Sequence, residues 1–301
     1  MGIAQYRMDK ILLATDFSNH SQVALARAAD FAEAFQASIL AVHCLPDLAF
    51  VPSASEFGLP YNDYALMQEE FSRDATEAMR KFLEGTVSKG INASSKILVG
   101  DPHIELSLLA EKEKFDLVIA GRSGHSGWED FLLGSTSRGL VHRCPTSVMA
   151  VSDQWDMKPR TILASTDFSE LSKVAVIKGL AIADKLGAKM HLLHVIDTTD
   201  TPAKSVTRMT THETIRQSIN DCAQSRLETF VKALEGDSTE IELHLSWGTP
   251  WRVMCQTAEN IHADLILIGN AGRRGVQGFF VGNTAERVLT HCKTSVLAVK
   301  A

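Results

Sequence analysis

Short runs of Ile, Leu, Val and Ala alternate along the chain with longer segments in which apolar residues recur every three or four positions. The first pattern fits strands buried on both faces, and the second fits helices that lay one stripe on a sheet. In the first half, strands are expected at Lys10–Ala14, Ser38–His43, Ala93–Leu98, Asp116–Ala120 and Ser147–Val151. Helices are expected at Ser21–Phe35, Asp63–Lys89, His103–Lys114 and Ser135–His142. In the first of these, Val23, Ala24, Ala28, Phe31, Ala32 and Phe35 make the stripe, and Ser18 and Asn19 are good caps ahead of it. Strand and helix in alternation predict a parallel sheet built from crossover units, a small doubly wound α/β fold.

The pattern then starts again. Ile11-Leu-Leu-Ala-Thr-Asp-Phe-Ser18 returns as Ile162-Leu-Ala-Ser-Thr-Asp-Phe-Ser169, and Cys144-Pro-Thr-Ser-Val-Met-Ala-Val151 returns as Cys292-Lys-Thr-Ser-Val-Leu-Ala-Val299. Such a period is too long for a solenoid, and each copy is large enough to bury its own core. Two tandem domains are therefore expected, 1–153 and 158–301, joined by a polar stretch containing Pro159. The second set of strands is expected near Thr161–Ser165, Lys189–Val195, Glu240–Ser246, Leu265–Ile268 and Ser295–Lys300. The segments 45–62 and 197–211 fit neither period and suit loops, whether functional or merely connecting.

Charge narrows the function classes. The formal net charge is −6, and all the excess acid lies in the first half, so no general attraction to nucleic acid or an anionic membrane is expected. No apolar run is long enough to span a bilayer, and Arg7, Asp9 and Lys10 interrupt the N-terminal segment where a signal peptide needs an apolar core, so a cytoplasmic protein is expected. Five cysteines without any CxxC pair suggest reduced thiols rather than a disulfide framework or zinc ribbon.

Candidate chemistry collects at the carboxyl ends of the strands, where open parallel sheets bind ligands. The first strand ends in Ala14-Thr15-Asp16. The fourth ends in Gly121-Arg-Ser123-Gly124, followed by Gly134-Ser135-Thr136 opening the last helix. Glycines let the backbone come close to a ligand, and a helix N-terminus offers unpaired N–H groups to an anion such as a polyphosphate. The hydroxyls of Ser135 and Thr136 can add hydrogen bonds, and Asp16 suits ribose hydroxyls or a divalent ion accompanying the phosphates. The same residues also suit a plain turn and caps, though their joint occurrence favours a ligand.

Together these motifs resemble the universal stress protein family, whose nucleotide-binding members carry G-x2-G-x9-G-[S/T] after the fourth strand. Gly121, Gly124, Gly134 and Ser135 match it without a gap, and Ala14-Thr15-Asp16-Phe17-Ser18 is similar to the family's opening signature. The resemblance covers both halves. It implies two Rossmann-like domains with strand order 3-2-1-4-5 and a fifth strand that pairs across a dimer. Here the two halves would pair intramolecularly through those strands, and two chains would associate as a homodimer. It also implies ATP as ligand, with Asp16 at the sugar or a magnesium ion and Cys44 beside adenine. Gly121, Ser123, Gly124, Gly134, Ser135 and Thr136 would hold the phosphates.

The second copy departs from the pattern. Thr166, Asp167, Val195, Gly269, Gly272 and Gly282 keep their places, but Asn283-Thr284 stands where a hydroxyl is expected first. Asn283 can still cap a helix, and Arg273 and Arg274 suit either a phosphate or a solvated surface.

Other signals are weak. Neither GxxxxGK[ST] nor GxGxxG after the first strand occurs. His191 and His194 project to opposite faces of one strand, which argues against a metal shared between them. His125, Glu129 and Asp130 supply no identifiable nucleophile and base pair. The sequence therefore points to a stress-response protein that binds an adenine nucleotide in at least its first domain and acts as a sensor or switch, with binding ordering the loop from Gly121 to Gly134. A slow ATPase and a non-nucleotide interaction or ligand-carrier module are the alternatives.

Overall fold

Every predicted strand forms in the computed structural model, which describes residues 6–48, 61–122, 133–153, 158–198, 213–234, 240–270 and 282–300. The chain divides into two compact units, Met8–Asp156 and Met157–Ala301, with Tyr6 and Arg7 grouping with the second.

The first unit runs β1 (Lys10–Ala14), α1 (Asn19–Phe35), β2 (Ser38–Leu45), α2 (Tyr61–Val87), β3 (Ala93–Val99), α3 (Pro102–Lys112), β4 (Leu117–Gly121), α4 (Ser135–Arg143) and β5 (Ser147–Val151). All its strands are parallel, in the order β3-β2-β1-β4-β5. Ile11 stands opposite Ile39 on one side and Leu117 on the other, so β1 is central. Its residues Ile11, Leu12 and Leu13 are fully buried. Right-handed crossovers put α1 and α2 on one face while the chain steps outward, and α3 and α4 on the other after it returns. Each pair of helices is in contact. The reversal leaves a crevice between the carboxyl ends of β1 and β4.

The second unit repeats this order with β6 (Thr161–Ser165), α5 (Glu170–Leu186), β7 (Lys189–Asp197), α6 (Glu213–Lys232), β8 (Ile241–Gly248), α7 (Pro250–Asn260), β9 (Leu265–Gly269), α8 (Asn283–His291) and β10 (Ser295–Val299). Its parallel order is β8-β7-β6-β9-β10. The expected α/β architecture and strand order thus hold in both halves.

Some boundaries shift for local reasons. β2 continues to Leu45 because Cys44 and Leu45 still pair with Leu98 and Val99 of β3. α3 begins at Pro102, whose fixed φ suits the first helical position, and Asp101 caps it by accepting the His103 N–H. No described helix is long and apolar enough to cross a membrane.

The expectation of reduced thiols fails in the second unit. Cys255 on α7 and Cys292 at the end of α8 form a disulfide, with Cα atoms 5.1 Å apart. α7 and α8 lie side by side, which brings together two cysteines 37 residues apart in sequence. The matching positions of the first unit hold Ser107 and Cys144, so no such bond can form there. Cys144 is buried, Cys44 half-buried and Cys222 exposed, and none of the three is in a disulfide.

Candidate functional site

The first unit's crevice is built from the turn that leaves β1. Thr15 Oγ1 accepts the Phe17 N–H (3.0 Å), and Asp16 Oδ1 accepts the Ser18 N–H (3.0 Å). These two bonds hold Phe17 in the left-handed region, φ 64°, a conformation rare for a bulky residue. Asp16 Oδ1 also accepts from the hydroxyls of Ser18 and Ser21, each at 2.6 Å. The carboxylate is therefore oriented by groups on the first turn of α1. On the other side, His43 Nδ1 lies 2.8 Å from the Thr15 carbonyl. A carbonyl can only accept, so that nitrogen carries the proton. The His43 ring packs on Phe17 at 4.5 Å between centroids.

The opposite wall comes from β4 and α4. A side chain at Gly121 would put its Cβ 3.0 Å from His20 Cβ and 3.1 Å from the His20 backbone, so only glycine allows α1 to approach this closely. Arg122 N donates to Val151 O (2.8 Å) and Gly134 N to Arg122 O (2.7 Å), returning the chain to the sheet at the start of α4. Burial pushes the Arg122 guanidinium down to about 10, with Asp153 opposing the shift, so it stays charged at neutral pH. Gly134 caps α4 without a side-chain hydrogen bond, and the first turn contains no acid. The amides and dipole of α4 thus remain available to an anion.

These parts enclose a cavity of about 260 Å³. Ala14, Thr15, Asp16, Cys44, Gly121, Gly134, Ser135 and Thr136, all expected from sequence, line it together. Ser123 and Gly124 lie outside the described residues. Pro102 and Leu106 give the cavity an apolar wall near Cys44, and a neighbouring hollow of about 520 Å³ shares Cys44 and Pro102. Burial, helped by Glu105 and Asp101, pushes the Cys44 thiol up to about 12, so it stays protonated at neutral pH.

Sequence reasoning missed Ser21, His43, Pro102 and Leu106. The step from Asp16 to Ser21 reflects turn geometry rather than a period. His43 is two residues from the ligand-facing end of a strand whose extent was underestimated, and α3 reaches the crevice only through tertiary packing.

The second unit keeps the turn and changes the helix. Thr166 Oγ1 accepts the Phe168 N–H (2.9 Å), Asp167 Oδ1 accepts the Ser169 N–H (3.0 Å), and Phe168 has φ 63°. His194 Nδ1 donates to the Thr166 carbonyl (2.8 Å). Gly269 meets mainly the Leu171 side chain, with Cγ 3.1 Å from where a Cβ would stand. Asn283 does not cap α8: Gly282 takes that position, and Asn283 Oδ1 accepts from Arg287 Nε (2.8 Å) because the long Arg287 side chain lies one turn along. Glu286 puts an acid into the first turn of α8, where the matching residue of α4 is Arg138. Thr284 follows on the same turn, Val195 lies on β7, and Gly272 is outside the described residues.

His191 and His194 do diverge, as expected, but His191 finds a partner on the neighbouring strand. Its Nδ1 is 2.9 Å from His244 Nε2, and Glu242 lies beside both rings. Burial pushes the His191 imidazole below its ordinary value, His244 and Lys189 adding to the shift and Glu242 opposing it. A strand's cross-strand partner cannot be read from its own residues.

Comparison with known proteins agrees with the fold. The family model described as "Universal stress protein family" matches residues 8–152 and again 158–300. The "Universal stress protein E homolog" of Haemophilus influenzae is 23% identical across 98% of this chain and 98% of its own length. A universal stress protein of Mycolicibacterium smegmatis is 25% identical over 96% of both chains. The crystal structure of a universal stress protein from Archaeoglobus fulgidus superimposes with a TM-score of 0.67 at 22% identity, covering 98% of this chain and 99% of that one. With both halves matched in turn, the chain belongs to the universal stress protein family, as a tandem two-domain member.

Proposed function

We infer that the first unit binds an adenine nucleotide, ATP, in the crevice between β1 and β4, and that the protein acts as a nucleotide-dependent sensor or switch in a stress response. The observation that carries this reading is the start of α4. Its cap is a glycine, its first turn has no acid, and Ser135 and Thr136 face a cavity that Gly121 also lines. That arrangement suits phosphate oxygens. Adenine would lie against Cys44, Pro102 and Leu106, and Asp16 is placed for the ribose or for a magnesium ion accompanying the phosphates. Glu286 and the engaged Asn283 make the second unit a poorer seat for phosphate.

The test is equilibrium binding of ATP and of adenosine to the wild-type chain and to Thr136→Glu. An acid in the first helical turn favours the helix, so folding is retained, while it repels phosphate. ATP affinity should fall by about tenfold or more, the equivalent of about 1.4 kcal/mol, and adenosine affinity should hardly move. Unchanged ATP affinity rejects the phosphate seat. Steady-state phosphate release in the same samples separates a switch from a slow ATPase.

A further inference from the structure

The second unit holds a group of donors that neither the fold nor a nucleotide requires. His191 stands on β7 directly opposite Glu242 of β8, and Leu193 stands opposite His244. Side chains alternate along a strand, so Glu242 and His244 share a face, and their contacts with His191 put all three on the same one. His191 is buried at 7% exposure, His244 is half-buried and Glu242 is exposed. One donor atom from each lies within 4.8 Å of the others. His191 Nδ1 and His244 Nε2 are 2.9 Å apart, and the Glu242 carboxylate oxygens are 3.7 Å from the first and 3.6 Å from the second.

The first unit supplies a control built into the same chain. Matching strand registers put Leu40, Ser94 and Lys96 where the second unit has His191, Glu242 and His244. That half forms the same sheet without these side chains, so the sheet does not need them. A buried imidazole in place of leucine costs stability unless its nitrogens are satisfied.

We propose that His191, Glu242 and His244 bind one divalent transition-metal ion of the zinc class at the β7–β8 edge of the second unit. Two imidazoles with one carboxylate are the donor set of zinc and its borderline neighbours, whereas calcium and magnesium favour all-oxygen ligands. Tetrahedral bonds of about 2.1 Å put neighbouring ligand atoms about 3.4 Å apart. Each Glu242 oxygen already lies near that distance from one imidazole, Oε2 from His191 and Oε1 from His244, and the two nitrogens need to separate by only about 0.5 Å. Three protein ligands leave the fourth position to water on the solvent side, where Glu242 is exposed. The site does not depend on nucleotide binding in the first unit.

The experiment uses the full chain, stripped with chelator and titrated with Co2+ as a visible probe and then with Zn2+ by calorimetry. A Cys222→Ser background removes the exposed thiol. Expected is one equivalent per chain, a low-coordinate cobalt band displaced by zinc, and an X-ray absorption shell of nitrogen and oxygen without sulfur. His244→Lys and Glu242→Ser install the residue types that the first unit's sheet already carries at a half-buried and an exposed position, so both should fold. Each should weaken zinc by more than about 100-fold, beyond what altering an outer-shell group costs. Binding below one equivalent, a sulfur shell, or equal affinity in the variants overturns the proposal.

Discussion

The two helices that follow the fourth strand of each half, α4 and α8, start from the same backbone and face different chemistry. Both are capped by a glycine that offers no side-chain bond, Gly134 and Gly282. Both are fed by the same return of the chain, Gly134 N to Arg122 O and Gly282 N to Asn270 O. Yet Ser135 and Arg138 become Asn283 and Glu286, while Thr136 stays a threonine as Thr284. The duplicated fold thus presents the same helix start twice, and under the nucleotide reading two side chains in one helical turn decide which copy takes the anion.

The helices packed beside them differ more. The second half joins α7 to α8 through Cys255 and Cys292, where the first half has Ser107 and Cys144. Reducing the disulfide should produce the largest effect of any single change considered. Releasing a closed loop of 37 residues costs up to about 4 kcal/mol on chain-entropy grounds. Hydrogen exchange of the intact chain with and without reductant would show it, with faster exchange in α7 and α8 and none of that change in α3 and α4. Equal protection in both states would mean the bond adds nothing to the second half.

Glycine replacement should separate the halves next. In Gly121→Ala the new methyl meets the His20 backbone at 3.1 Å, which cannot turn aside, whereas in Gly269→Ala it first meets a leucine side chain that can. Overpacking of this kind costs about 1–3 kcal/mol, so urea denaturation should place Gly121→Ala in that range and Gly269→Ala clearly below it. Reversed order would show that α5 is held more rigidly than α1.

Charge comes third. Arg138→Glu gives α4 the acid of α8 and should weaken ATP by about tenfold at low salt, with the loss shrinking as salt rises. Glu286→Arg should strengthen binding of a nucleoside triphosphate to the second half, measured in a chain already carrying Thr136→Glu. No response in either variant would locate the difference between the halves elsewhere.

The smallest effect is a rate. With its thiol pushed up to about 12, Cys44 has about one thiolate in ten thousand at pH 8, so alkylation should label the exposed Cys222 first. Because burial and two nearby acids raise the value, Cys44 labelling should accelerate only as pH climbs toward 12. Bound nucleotide should slow it further. Fast labelling at pH 8 would contradict the burial of Cys44.

The central strands were legible because buried runs such as Ile11–Ala14 and Leu265–Ile268 are apolar throughout and are followed by turn residues. The phosphate side of the crevice was legible because Gly121, Gly134, Ser135 and Thr136 lie close in sequence around one strand and one helix. What escaped was brought together by tertiary packing. Cys255 meets Cys292 only because α7 lies on α8, and His191 meets His244 only through the β7–β8 register. Neither has a spacing that a linear pattern could reveal. The strand order itself came from the family resemblance, since crossover units alone do not say on which side of β1 the fourth strand inserts.

Gly134 carries one further consequence. A helix whose first amides have no partner from their own cap leaves them to water until a guest supplies oxygens instead. Occupancy then tightens the entire N-terminal half by mass action, with resistance to proteases growing as the guest's concentration exceeds its dissociation constant. Under the nucleotide reading, a cell short of ATP would hold a more easily degraded protein, and the abundance of this chain would itself report on energy supply.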